Sequence, residues 1–253
     1  MLGFPFFSGM LLARNADWDL VPAAVAVLAV FLIREPILVL SRQRFVWTDL
    51  QPRTLTAQRA LLVVCPALVI STLWLSQVLP LGWFAALGAV AAILLAIDIH
   101  AVARKRGRSV GYQVAGAAGL AGSAAVAYLA GGREPDLNLA LLWAVHTIHG
   151  TASVLVVHAG IEARKMKPHT GGHRAKKQAA IVWHVVHAVV AAVFALAGRP
   201  GLTLALLVPW FVHILDLLRL DRPSFLRIPL RGVGLRELAL STGFTVLVLA
   251  ALW

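Results

Sequence analysis

The chain has 253 residues, 60% of them hydrophobic, and its mean hydropathy is +0.82. This composition excludes an ordinary soluble domain, in which about 45–50% of residues are apolar. The formal net charge is +12, yet we expect no nucleic acid partner, because the cations are sorted between apolar runs as membrane topology requires. The single cysteine, Cys65, excludes an internal disulfide bond.

Nine apolar stretches follow one another along the chain, and we expect each to form a helix of one integral membrane domain, residues 1–253. Several reach the about 20 residues needed to cross a hydrocarbon core of about 30 Å, whereas the first is too short to span. In chain order they cover residues 2–13, 18–40, 60–79, 82–103, 110–131, 138–161, 178–198, 201–218 and 235–253. The sequence therefore predicts an all-α, polytopic helical bundle.

Basic residues alternate between the gaps that separate these stretches. Twenty of the 23 Lys and Arg residues lie near 34–59, 104–108, 164–177 and 219–236. Short basic loops remain in the cytoplasm, where they face the anionic head groups of membrane lipids. We therefore expect a bacterial inner-membrane protein with its N-terminus inside, its C-terminus outside and longer polar loops (41–58, 104–109, 163–177, 219–233) in the cytoplasm.

Ionisable side chains gather at the predicted cytoplasmic ends of five segments. Such groups are costly inside a membrane and commonly mark functional sites, so we expect a polar cavity open to the cytoplasm. The alternative is that they are interfacial ion pairs that orient helices. Asp98 and His100 lie ~200° apart on a helix, so only one of them can line a given cavity. The substrate-binding candidates are Arg34, Glu35, Asp98, Arg104, His158, Glu162, His213, Asp216, Arg236 and Glu237.

The spacing of these residues indicates which of them share a helix face. His158 and Glu162 are four residues apart and lie on one face, and His213 and Asp216 can both point inward. Imidazole and carboxylate groups together could hold a divalent cation such as Mg²⁺, whereas arginines could hold a phosphate or carboxylate. We expect one pocket lined by His158, Glu162, His213 and Asp216, with at least one of Arg34, Arg104 and Arg236.

Two further histidine pairs lie near mid-depth in the sixth and seventh segments. His146 and His149 are three residues apart, as are His184 and His187. Because the two segments run antiparallel, the pairs could face each other and ligate a metal ion, or one histidine from each could ligate a haem. The alternative is that they form hydrogen bonds between helices.

Several stretches resemble the YwiC-like family of bacterial polytopic membrane proteins. They are MLGFPFFSGMLLA at the start, the Arg34-Glu35-Pro36 turn, SVLVVHAGIEARK (153–165) and GVGLRELALS (232–241). The resemblance implies a membrane bundle but no particular activity. Members of that family usually open with an Arg-Glu-His-Gly-Ala-type motif, whose absence leads us to expect that this chain begins late.

The layout of the segments also resembles that of the UbiA prenyltransferase superfamily. In that superfamily, aspartate-rich motifs at the inner ends of helices two and six bind Mg²⁺ and a prenyl diphosphate. The matching positions here carry Glu35, Ser41 and Arg42 in one segment and His158-x-x-x-Glu162 in the other, fewer carboxylates than two Mg²⁺ ions usually take. The resemblance implies an intramembrane transferase, or a binder of an amphipathic lipid or prenyl compound.

Three functional hypotheses follow. The first is this UbiA-like transferase or binder, with a cytoplasm-facing polar site and an apolar tunnel. The second is a membrane protein whose histidines ligate a metal or haem. The third is a small transporter that uses its buried charges as a proton or substrate relay.

Overall fold

The computed structural model describes residues 3–15, 17–104, 110–165, 172–222, 225, 227 and 229–253. Within these ranges the chain is helical and no strand is present, as the sequence predicts. The helices delimited there are α1 (Gly3–Ala13), α2 (Leu20–Phe45), α3 (Pro52–Val78), α4 (Leu81–Ala103), α5 (Val110–Ala121), α6 (Ser123–Ala130), α7 (Leu137–Lys165), α8 (Gly172–Leu196), α9 (Pro200–Arg219) and α10 (Leu230–Leu252).

Eight helical segments in the described ranges are long and apolar enough to cross a membrane. Helices α5 and α6 together form one of them, Val110–Ala130, and α1 is an apolar helix of 11 residues, too short to span. The prediction of nine segments with a short first one is therefore confirmed. The chain is a multi-pass membrane protein.

The helices extend beyond the predicted apolar stretches at their basic ends. α2 continues to Phe45, α3 begins at Pro52 and α10 begins at Leu230, so the connection between α2 and α3 shrinks to residues 46–51. The prediction of a loop over 41–58 was wrong because hydropathy ends a segment where charge begins. Arginine has a favourable helix propensity, and these helices continue past the apolar window.

Helix α1 lies within the bundle against α6, α7 and α10. The contact with α6 is a close backbone approach, because a Cβ added to Gly9 would lie 2.2 Å from the carbonyl oxygen of Ala124. Only glycine permits that approach without a shift of one helix. The approach holds Ser8, which is fully buried, inside the bundle.

Two apolar clusters leave a polar belt between them. Along α9, the larger cluster contains Leu202 and Leu206, and the smaller one contains Leu217 and, just after the helix, Leu220. Along α7, the larger cluster reaches Val145 and the smaller one starts at Leu155. The intervening turns of both helices carry buried polar residues, which are His146, His149, Thr151, Ser153, His213 and Asp216.

Candidate functional site

A cavity of about 640 Å³ opens between α1, α2, α3, α4, α5, α6, α7 and α10. Alanine, glycine, leucine and valine side chains form most of its wall. Its ionisable and other polar lining includes Arg34, Asp98, Tyr112, Gln113, His146, His149, His158, Ser241 and Thr245. The cavity therefore combines a long apolar wall with a small number of polar groups, as small-molecule sites usually do.

One end of the cavity is organised around Arg34. Its Nε donates a hydrogen bond to the carboxylate of Asp98, and its Nη2 donates to the hydroxyl of Tyr112. Asp98 lies in the last turns of α4 and Tyr112 in the first turn of α5, so the contacts join three helices. A guanidinium has five N–H donors, and these two bonds leave others for a ligand.

The prediction that only one of Asp98 and His100 lines a given cavity is confirmed. Asp98 is buried and lines the cavity, whereas His100 is exposed. Tyr112 was missed by the sequence reasoning, which considered only charged groups and histidines. Its signal was available, because the Gly-Tyr-Gln stretch begins the fifth segment at the level of Asp98.

A second polar group, which we call the α9–α10 cluster, consists of His213, Asp216, Arg236 and Glu237. Arg236 donates hydrogen bonds to the carboxylate of Asp216 from both Nη atoms, and Nη1 lies 2.8 Å from Oδ1. The Nε2 of His213 lies 3.1 Å from Oε2 of Glu237. Both carboxylate side chains are only 4% exposed, and Arg236 is 33% exposed. The cluster thus pairs α9 with α10 through desolvated charges.

The sequence predicts a single pocket lined by His158, Glu162, His213 and Asp216, and this cavity does not bring the four together. Of these four, only His158 lines the cavity. Helix α7 packs against α5 on one side and against α8 and α9 on another. Residues on its inner turns therefore contact different sets of helices. The candidates divide into a cavity group (Arg34, Asp98 and His158) and the α9–α10 cluster.

Three remaining candidates do not line the cavity. Glu35 is exposed and accepts a hydrogen bond of 3.2 Å from Arg42. Arg104 is exposed directly after α4, and Glu162 is partly buried on α7. The pair formed by Glu35 matches the alternative interpretation, in which interfacial charges pair with each other.

The paired histidines His146, His149, His184 and His187 are all buried. His146 Nε2 lies 3.1 Å from Ser8 Oγ, and His149 Nε2 lies 3.2 Å from Ser241 Oγ. His184 Nδ1 donates to the carbonyl of Ala180 over 2.7 Å. Neither serine entered the sequence prediction, because a lone serine in an apolar segment carries no signal of its partner.

The two histidine pairs are linked through His213. The ring centroids of His149 and His213 are 6.2 Å apart in parallel planes, and those of His184 and His213 are 5.5 Å apart. In the part of the chain that the structure describes, no group of three or more His, Cys, Asp or Glu side chains is arranged to hold a metal ion. The metal or haem hypothesis therefore stays a prediction.

Comparison with known proteins identifies a family. The sequence model of the YwiC-like protein family matches residues 1–128, just over half of the 253-residue chain. No curated protein and no solved structure matches. The matched half contains Arg34, Asp98 and Tyr112, which organise the polar end of the cavity. The chain belongs to the YwiC-like family.

Proposed function

We propose that this membrane protein binds an amphipathic lipid or prenyl compound in its cavity. The proposal rests on the shape and lining of the cavity. Its volume of about 640 Å³ falls within the about 300–1,000 Å³ of small-molecule pockets. Its long apolar wall suits a hydrocarbon chain, and its polar end suits a head group.

The head group would lie at the Arg34 end. Asp98 neutralises the charge of Arg34, but the guanidinium keeps further N–H donors. The end is therefore rich in donors and favours a head group that accepts hydrogen bonds, such as a phosphate, carboxylate or carbonyl. Because the basic gaps mark this end of the bundle as cytoplasmic, we place the head group at the inner leaflet of a bacterial cytoplasmic membrane.

The small number of carboxylates in the cavity lining favours ligand binding over Mg²⁺-dependent prenyl transfer. Asp98 is the one carboxylate among the described residues that line the cavity, and it is already engaged by Arg34. Mg²⁺ that bridges phosphates usually takes one or two carboxylates besides the phosphate oxygens. A cation here would have to displace Arg34, so the UbiA-like arrangement is proposed as a shared way of holding a ligand.

A cavity-filling substitution tests the proposal. Gly116 lines the cavity, and a Cβ added there meets no atom within 4 Å. Gly116→Phe should therefore place its ring in the cavity without a backbone clash. Gly243→Phe is the matched control, because Gly243 also lies in a membrane helix with open space at its Cβ but does not line the cavity.

The measurement is the amount of amphipathic compound that copurifies with each variant, extracted and quantified by mass spectrometry. We expect Gly116→Phe to lose most of one compound class that the wild type and Gly243→Phe retain. Equal retention by all three proteins would contradict binding in this cavity, provided that all three elute as folded species from gel filtration.

A further inference from the structure

A row of buried imidazoles connects the α9–α10 cluster with the cavity. His213 is fully buried and bonds Glu237 through Nε2. Its ring lies parallel to that of His149, with an angle of 5° between the planes. His149 in turn lines the cavity and bonds Ser241, which lines it as well. Glu237, His213, His149 and Ser241 thus follow one another from α10 across α9 and α7 and back to α10, where Ser241 lines the cavity one turn after Glu237.

The ring nitrogens along this row alternate between bonded and unbonded. His213 uses Nε2 toward Glu237, and His149 uses Nε2 toward Ser241. Among the residues that the structure describes, the buried Nδ1 atoms of both rings have no hydrogen-bond partner. Each ring therefore has one nitrogen engaged and a second nitrogen open to a proton donor or acceptor.

One end of the row lies in the α9–α10 cluster. Arg236 is 33% exposed, and its Nη2 lies 3.7 Å from Oε1 of Glu237. The opposite end is the cavity. The row therefore leads from a partly exposed ion pair to the cavity. Each group along it can take up and release a proton, as the members of a proton relay do.

We infer that Glu237, His213 and His149 form a proton path between the α9–α10 end of the bundle and the cavity. The path ends at the cavity of the proposed function, but proton exchange along it does not depend on which ligand the cavity holds.

Each step conserves the proton. Protonated Glu237 passes its proton to Nε2 of His213, and the ring releases a proton from Nδ1. His149 receives that proton at Nδ1 and releases one from Nε2 toward Ser241 and the cavity. The two rings do not bond directly, so transfer between them uses a bridging water or a ring rotation. Glu237 then regains a proton from water near Arg236, and all groups return to their starting charge. Both imidazoles now carry their proton on the opposite ring nitrogen, so a rotation of each ring restores the starting tautomers before the next proton passes.

Other charged and titratable groups surround the path. Arg236 and Asp216 neutralise each other beside Glu237. From α8, His184 packs edge-on against His213 and leaves Nε2 without a hydrogen-bond partner, and His187 stacks on His184. These two rings form a side branch. From α7, His146 contacts Ser8 rather than the path.

The test uses the full chain, labelled with ¹⁵N-histidine and reconstituted in lipid nanodiscs. Single His→Asn variants assign the ring signals. The measured quantities are the ¹⁵N shifts of the His149 ring across a pH series and the exchange of its N–H with water. We expect Glu237→Gln to shift the His149 signals and slow the exchange, although no hydrogen bond joins these two residues. His213→Phe, which keeps an aromatic ring at the link, should do the same.

Glu35→Gln is the control, because Glu35 is an exposed carboxylate that pairs with Arg42. It should leave the His149 signals unchanged. Unchanged His149 signals and exchange in both Glu237→Gln and His213→Phe would overturn the path. So would stoichiometric metal whose removal moves the ring signals, since that result assigns the histidines to a metal site. Loss of cavity binding alone would contradict the proposed function and leave this result intact.

Discussion

Replacing Arg236 by glutamine tests whether the α9–α10 cluster stabilises the bundle. The change leaves the carboxylate of Asp216, 4% exposed, without its two charge-assisted hydrogen bonds. Breaking a buried ion pair by removing one partner costs about 3–5 kcal/mol. Arg236 is 33% exposed, so water can partly replace it, and we expect a loss near the lower end, about 3 kcal/mol.

Arg42→Gln is the matched control for this substitution. It removes an arginine side chain, 35% exposed, from its ion pair with Glu35, whose side chain is 62% exposed. Surface ion pairs contribute about 0–1 kcal/mol, so the control should remain close to the wild type. The double variant Asp216→Asn with Arg236→Gln should recover most of the loss, because it removes the unpaired buried charge along with its partner.

The assay is unfolding in mixed micelles, followed by circular dichroism on all four proteins. We expect Arg236→Gln to be the least stable, with the double variant between it and the wild type. A stability of Arg236→Gln within about 1 kcal/mol of Arg42→Gln would refute the reasoning, because Asp216 would then behave as an exposed carboxylate.

Two other predictions concern packing and topology. Gly9→Ala should lower stability by about 1–3 kcal/mol, since its Cβ would overlap the backbone of α6, whereas Gly243→Ala should not; equal melting of the two variants would contradict the close approach of α1. In a Cys65→Ser background, a cysteine at Arg222 should react with a membrane-impermeant thiol reagent only after the cells are opened, and one at Gly132 should react in intact cells. The reverse pattern would invert the predicted topology.

The sequence predicted the number and order of helices because hydropathy reports directly on membrane-spanning length. It also predicted that only one of Asp98 and His100 could line a given cavity, since helical phase follows from spacing alone. The predicted helices are too short at the basic gaps, because the mean hydropathy falls where charged residues begin whereas the helix continues.

The sequence could not predict how the candidate residues divide. The sequence groups charges by their predicted depth in the membrane, but depth does not indicate which helices are neighbours. His158 and His213 lie at similar predicted depth, yet only His158 lines the cavity. The partners Tyr112 and Ser241 are uncharged, and their roles become visible only once α2, α5, α7 and α10 are packed together.

Native mass spectrometry of the chain released from nanodiscs shows directly whether Arg34 holds a ligand in the cavity. We expect the wild type to carry one lipid-sized adduct per chain. Arg34→Gln should lose most of it, because the head group loses its donors, and Arg42→Gln should keep it. A wild-type chain that is released bare, or an adduct that persists equally in Arg34→Gln, would contradict a ligand held in the cavity by Arg34.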